Sequence, residues 1–234
     1  MLHVQHLSVW YDVTEVLRDV SFSVTERSVV ALLGGNGSGK STLLNALSGL
    51  IAPRSGSVRF QGEETAGLGA HVMVRRGIVQ VPQGREVFAD MSVEDNLELG
   101  AASRSDLNEI RKDMGGVFDL FPALRDRRKR AAGSLSGGEQ TQLSIGRALM
   151  SRAKLLLMDE PSVGLSPRMV DVVIDAVLRL RDRGLTILLV EQNVGVAAAV
   201  AEEAHVLKDG VIAYAGRAKE LINNPEVLAS YLGR

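Results

Sequence analysis

The chain of 234 residues contains no cysteine. This excludes a disulfide framework, a thiol nucleophile and a cysteine metal site. Its four histidines, His3, His6, His71 and His205, are scattered and lack metal-ligand spacing. Charge of either sign is not in excess: the net charge is −1, so no global basic field draws the chain to nucleic acid. Any phosphate binding must therefore be local. No apolar run approaches the ~20 residues that span a bilayer. The start, Met1 to His6, lacks the basic residues and apolar core of a signal peptide. These absences predict a soluble, cytoplasmic chain. If it acts on a membrane, other chains must supply the spans. No internal repeat is visible. Hydrophobic residues make up 45%, enough for a sizeable core, and the length suits one α/β domain with an inserted subdomain.

What is present begins with Gly34-Gly35-Asn36-Gly37-Ser38-Gly39-Lys40-Ser41-Thr42. It fits G-x-x-x-x-G-K-S/T, the phosphate-binding P-loop. The apolar run Val29 to Leu33 precedes it as a buried strand. Leu43, Leu44, Leu47 and Leu50 follow at helical spacing. The glycines let backbone N–H groups turn inward around a phosphate, and the helix N-terminus adds partial positive charge. Lys40 would bring a full charge to the β- and γ-phosphates, and Ser41 a hydroxyl to Mg2+.

Leu2 to Val9, Ser21 to Val24, Ser57 to Phe60 and Ile78 to Pro82 read as further strands. From about Phe88 to Met150 the alternation of strand and helix stops. Ser92 with Asp95 marks a capping box opening Val93 to Leu99, and a second helix spans Leu107 to Leu120. About 88–150 is thus expected to be a helical insertion between 1–87 and 151–234. Val170, Val173, Ile174, Val177 and Leu178 then define an amphipathic helix ending at Gly184. Thr186 to Val190 is a buried strand and Val196 to Ala204 a small-residue helix. Val206-Leu207 and Val211-Ile212 flank an Asp209-Gly210 turn, and two short helices fill the last twenty residues. The basic run Arg125 to Arg130 reads first as a solvated face and second as a lipid- or partner-binding patch.

Leu155-Leu156-Leu157-Met158-Asp159-Glu160 describes a buried strand delivering two acids to the C-terminal edge of a sheet, where ligands bind in doubly wound folds. Asp159 could hold Mg2+, directly or through water. Glu160 could orient the water that attacks a γ-phosphate. Leu135-Ser136-Gly137-Gly138-Glu139-Gln140, followed by a helix from Glu139 to Leu149, makes a second helix N-terminus suited to an anion. A second anion site makes sense if it serves a neighbouring subunit.

That hexapeptide resembles the LSGGQ signature of ATP-binding cassette (ABC) proteins, with Glu139 in fifth position. Residues 34–42 then look like Walker A, 155–160 like Walker B, Gln83 like the Q-loop glutamine, 161–166 like the D-loop and Tyr11 like the A-loop aromatic. The resemblance covers essentially the whole chain. It implies a RecA-like core with an antiparallel β subdomain and an inserted helical subdomain. It also implies a head-to-tail dimer with a second cassette subunit, identical or different. ATP would lie between Walker A of one subunit and the signature of the other. Tyr11 would stack on adenine beside Val16, and Thr42 would meet the α-phosphate. Ser136 and Gly138 would approach the partner's γ-phosphate, and Gln83 would reach Mg2+ or the water.

Val81 to Phe88, Ile145 to Met150 and Leu189-Val190-Glu191-Gln192-Asn193 are similar to the ATPase subunits of importers for branched-chain amino acids, urea and short amides. Such importers add two membrane permeases and an external solute-binding protein, with the ATPase on the inner membrane face. Gln192 stands where most cassettes carry a histidine. Glutamine can donate a hydrogen bond to a γ-phosphate but cannot carry charge. Other classes fit less well. A non-transport cassette of translation or DNA repair usually has two cassettes or long insertions. A kinase or GTPase leaves residues 135–140 unexplained, and a scaffold without turnover leaves Glu160 unexplained.

Overall fold

The structure is a computed structural model that describes residues 1–84 and 86–222. The chain opens on a long hairpin, β1 (Leu2–Tyr11) and β2 (Thr14–Val24), then enters β3 (Val29–Leu33), the P-loop and α1 (Lys40–Leu47). β4 (Ser55–Phe60), β5 (Glu63–Glu64), α2 (Ala70–Arg76) and β6 (Ile78–Val81) follow. The helical section holds α3 (Val93–Gly100), α4 (Leu107–Leu120), α5 (Pro122–Asp126), a 3-10 turn at Ala132–Ser134 and α6 (Gly137–Leu149). β7 (Leu155–Asp159), α7 (Pro167–Asp182), β8 (Thr186–Glu191), α8 (Val194–Val200), β9 (Glu203–Lys208), β10 (Val211–Arg217) and α9 (Ala218–Ile222) complete the order.

Two sheets result. One is antiparallel, in the order β2-β1-β4-β5. The other runs β10-β9-β3-β8-β7-β6, with β10 antiparallel to β9 and the other five strands parallel. The central strands β3, β7 and β8 are mostly apolar because both faces are covered. Their period of two divides them between two cores. Val30, Leu32, Leu155, Leu157, Leu188 and Val190 face the antiparallel sheet and α1. Ala31, Leu33, Leu156, Met158, Ile187 and Leu189 face the other way, toward α7, α8 and the helical section.

The register sets the site. Leu33 lies opposite Glu191, Asp159 opposite Val190, and Val81 opposite Met158. The residues that follow, from Gly34, Gln83, Glu160 and Gln192, therefore leave the sheet at one C-terminal edge.

Several expectations need correction. Leu50 does not belong to the helix after the P-loop. α1 ends at Leu47, Gly49 turns the backbone with φ 77°, and Leu50 is exposed. β2 starts at Thr14, well before Ser21, and its outward residues are charged because one face meets solvent. α8 stops at Val200 rather than Ala204. Ala204 belongs to β9, paired with Ala31 of β3. Residues 215–217 extend β10, α9 follows, and the second expected C-terminal helix falls outside the described residues. α6 begins at Gly137, two residues before Glu139.

Candidate functional site

The P-loop is shaped by close backbone packing from behind. Gly39 has φ 104°, and a Cβ there would sit 2.7 Å from the Leu17 side chain. At the tip of the β9–β10 hairpin, Gly210 has φ 79° and a Cβ would meet the Val16 carbonyl at 2.1 Å. Gly210 donates to the Ser38 carbonyl (3.2 Å) and its own carbonyl accepts from Arg18 (2.9 Å). Only glycine permits both approaches. The hairpin tip thus braces the loop against β2. Gly39 is the N-cap of α1, which has no side-chain cap and no acid in its first turn. Its first N–H groups are left for an anion.

Lys40 is buried, and its Nζ donates to the carbonyls of Gly34 (2.9 Å) and Gly35 (2.9 Å). It also pairs with Glu160 Oε1 at 3.1 Å. The rest of the Glu160 carboxylate is held by amides. Gln83 Nε2 donates to Oε2 (3.0 Å), and Gln192 Nε2 donates to Oε1 (3.1 Å) and Oε2 (3.2 Å). Gln192 also donates to Asn36 Oδ1 in the P-loop. Glu160 takes φ 46°, the left-handed region that glutamate rarely enters, while its N–H donates to the Val190 carbonyl (3.0 Å). Strain of this kind persists where surrounding structure over-determines it, and it clusters at active sites.

Beside this cluster, Asp159 is buried and its Oδ1 has no partner among the described residues. Burial pushes its carboxyl above the ordinary range, and Glu160 adds to the rise; a Ser41 hydrogen bond and Lys40 oppose it. A hydroxyl, a carboxylate with an orphaned oxygen and the Gln83 amide oxygen form a hard oxygen donor set. That set fits Mg2+, which binds through one or two side chains plus phosphates. Among the described residues no three His, Cys, Asp or Glu side chains converge as a metal cage.

Tyr11 ends β1 half exposed. With Val16, Asn36, Gly37, Gly39, Lys40, Ser41, Thr42, Gln83 and Glu160 it lines a cavity of about 320 Å³. Gly34, Gly35 and Ser38 do not line it. No residue of 135–140 lines it either. The signature segment sits apart, where Ser136 caps α6. Ser136 Oγ accepts from the Glu139 N–H (3.4 Å) and Glu139 Oε2 accepts from the Ser136 N–H (2.9 Å).

The ABC transporter family profile matches residues 17–163. The chain belongs to the ABC transporter family. The "High-affinity branched-chain amino acid transport ATP-binding protein BraG" of Pseudomonas aeruginosa is 43% identical over all of both chains. The "Probable branched-chain amino acid transport ATP-binding protein LivF" of Archaeoglobus fulgidus is 41% identical over 96% of this chain and 95% of its own. The Escherichia coli "Lipopolysaccharide export system ATP-binding protein LptB" is 33% identical over 99% of this chain and 97% of its own. In three dimensions, the ADP conformation of an ATP-binding cassette of an ABC transporter superposes with a TM-score of 0.88. It is 29% identical and covers 100% of this chain and 99% of that one. The chain is accordingly an ATP-binding cassette with the ATPase activity of its family.

The capping box at Ser136 and Glu139 is legible in the sequence as S-x-x-E. Of the five cations in the basic run 125–130, three pair within the chain. Arg125 pairs with Asp119, Arg127 with Glu139, and Lys129 with Glu94. Arg147, on α6, donates to the Glu86 carbonyl (2.7 Å) and lies over the Phe88 ring at 5.1 Å. It ties the segment after Gln83 to the signature helix, a long-range contact that no local pattern announces.

Proposed function

We propose that the chain is the ATP-hydrolysing subunit of an importer for branched-chain amino acids or related small solutes such as urea and amides. The observation that carries this reading is the convergence of Lys40, Gln83 and Gln192 on Glu160, beside a buried Asp159 with a free oxygen. ATP enters with adenine on Tyr11 and Val16, its α-phosphate at Thr42, and its β- and γ-phosphates on residues 34–41. Lys40 exchanges Glu160 for phosphate oxygens. Ser41, Asp159 and Gln83 would hold Mg2+, which would neutralise phosphate charge there. Freed from Lys40, Glu160 orients a water toward the γ-phosphorus and accepts its proton as the bond to the β-phosphate oxygen breaks, leaving ADP and phosphate. Gln192, hydrogen-bonded to both Asn36 and Glu160, reads the γ-phosphate as an uncharged donor.

The signature segment 135–140 stands outside its own cavity, which supports a head-to-tail pair with a second cassette whose γ-phosphate meets Ser136 and Gly138. A cleft of about 600 Å³ lined by Val87, Phe88, Leu99 and Arg147, with Phe88 and Leu99 exposed, suits a helix of a membrane permease. It joins the core, 1–87 and 151–234, to the helical part, about 88–150. No described helix is long and apolar enough to cross a membrane, so two permeases would supply the spans and an external binding protein the solute. The chain would lie on the inner membrane face and bind no nucleic acid. Identity to BraG and LivF exceeds that to the lipopolysaccharide export protein, which favours import.

The test is Glu160→Gln. Hydrolysis should fall about 100-fold or more, ATP should still bind, and a dimer should accumulate with ATP and Mg2+. Hydrolysis within twofold of the parent protein would remove Glu160 from the reaction. For the cargo, deletion of the chain should abolish high-affinity uptake of labelled leucine or urea by the parent cell. Unchanged uptake of both overturns the importer assignment.

A further inference from the structure

Glu191 ends β8 and is fully buried, at 0% exposure. Among the described residues it has no ion pair, so its charge is held by hydrogen bonds alone, an expensive arrangement for a carboxylate. Burial pushes its carboxyl above the ordinary range, opposed by the donors around it. Those donors come from two different loops. Oε1 accepts from the Ser162 N–H at 3.2 Å, and Oε2 accepts from the Asn193 N–H at 3.4 Å. The Ser162 side chain adds a hydrogen bond.

Each loop begins at a residue of the Glu160 cluster. Ser162 lies two residues after Glu160, in a segment whose next residues, Val163 and Gly164, line a cavity of about 440 Å³ together with Gln83 and Glu160. Asn193 follows Gln192 and caps α8 by accepting from Gly195 (2.9 Å) and Val196 (3.3 Å). One carboxylate thus pins the segment after Glu160 to the segment after Gln192.

We propose that Glu191 is a positioning residue for ATP hydrolysis, locking these two segments so that Glu160 and Gln192 face the γ-phosphate as one unit. The inference rests on the roles given above to Glu160 and Gln192. Two acceptors in one rigid group are required. In Glu191→Gln the amide keeps one acceptor and turns a donor against an N–H donor. In Glu191→Met both acceptors are gone at similar volume.

The experiment is steady-state hydrolysis by the full chain, with thermal melting and amide exchange at Ser162 on the same samples. Glu191→Gln should lower kcat about tenfold with KM for ATP within twofold, and Glu191→Met should lower it further. Both leave buried N–H donors unsatisfied and should lower the melting temperature by a few degrees at most, and both should speed Ser162 exchange without nucleotide. An unchanged kcat, or a loss accounted for by the fraction unfolded at the assay temperature, overturns the proposal. Glu160→Gln separates the two readings. If it is inactive while the Glu191 variants are normal, only the positioning role falls. If it is fully active, both fall together.

Discussion

The chain has two glycine-rich segments that open helices, and they end differently. At α1 the cap residue is Gly39, with no side-chain cap and no acid in the first turn. At α6 the cap residue is Ser136, closed reciprocally by Glu139, whose carboxylate also pairs with Arg127. The first helix leaves its N-terminal donors unmade and surrounds them with Lys40 and Ser41. The second has the Ser136 and Glu139 N–H groups satisfied from its own chain. An anion therefore finds α1 ready, whereas to reach the Ser136 N–H at α6 it must displace the Glu139 carboxylate, and Arg127 gives that carboxylate somewhere to stay. On the function proposed above, one end holds a phosphate alone and the other answers one delivered by a second cassette.

Three substitutions test that contrast, the largest effect first. Lys40→Ala should reduce hydrolysis by about 100- to 1,000-fold, the scale of losing a preorganised charge on a phosphate oxygen. A loss under threefold would make the two ends equivalent. Ser136→Ala should reduce hydrolysis about tenfold, and losing the cap should cost about 1 kcal/mol, or about 2–4 °C of melting temperature. Melting without any kinetic effect would leave α6 a structural helix only. The smallest effect is Asp159→Asn, read by melting without nucleotide. Asp159 has its folded pKa raised above the ordinary 3.8. The folded state therefore holds this proton more tightly than the unfolded one. The stability it contributes is full below pH 3.8 and is lost as pH rises through the folded value. At neutral pH without nucleotide the folded chain carries that cost, and the substitution should raise the melting temperature by a few degrees. A lower melting temperature at pH 7, with normal stability at pH 3, would contradict this assignment of strain to the α1 end.

The parts of the molecule read most easily from sequence are those where one physical demand dominates. β3, β7 and β8 are covered on both faces, so their inner positions are apolar and the runs stand out, with Asp159, Thr186 and Glu191 only at strand ends. The P-loop reads because phosphate needs backbone, and backbone needs glycine. The first two residues of β9, Glu203 and Ala204, read as the end of a helix because Ala, Val and Glu from Ala199 to Ala204 tolerate one. Their strand is imposed by pairing with β3, a tertiary decision invisible in a local window. The start of β2 was missed because its exposed face is charged and its period is interrupted by irregular register against β1. In the site, Lys40, Asp159 and Glu160 were legible from strand and loop context. Gln83 and Gln192 needed the family resemblance, since a lone glutamine declares nothing. Glu191 escaped because it sits next to a residue with a recognised role and its partners lie 29 and 2 positions away.

The parallel sheet belongs to two cores at once, since alternate residues of β3, β7 and β8 serve opposite layers. Neither layer can melt in private, because losing one bares a face of the same strands that hold the other. The sheet should consequently open as a single cooperative event, with α3 and α4, which pack on one side only, released earlier. A motor fuelled at that sheet's edge gains a fixed bench: its moving parts can swing through every cycle while the surface they are bolted to stays out of the motion.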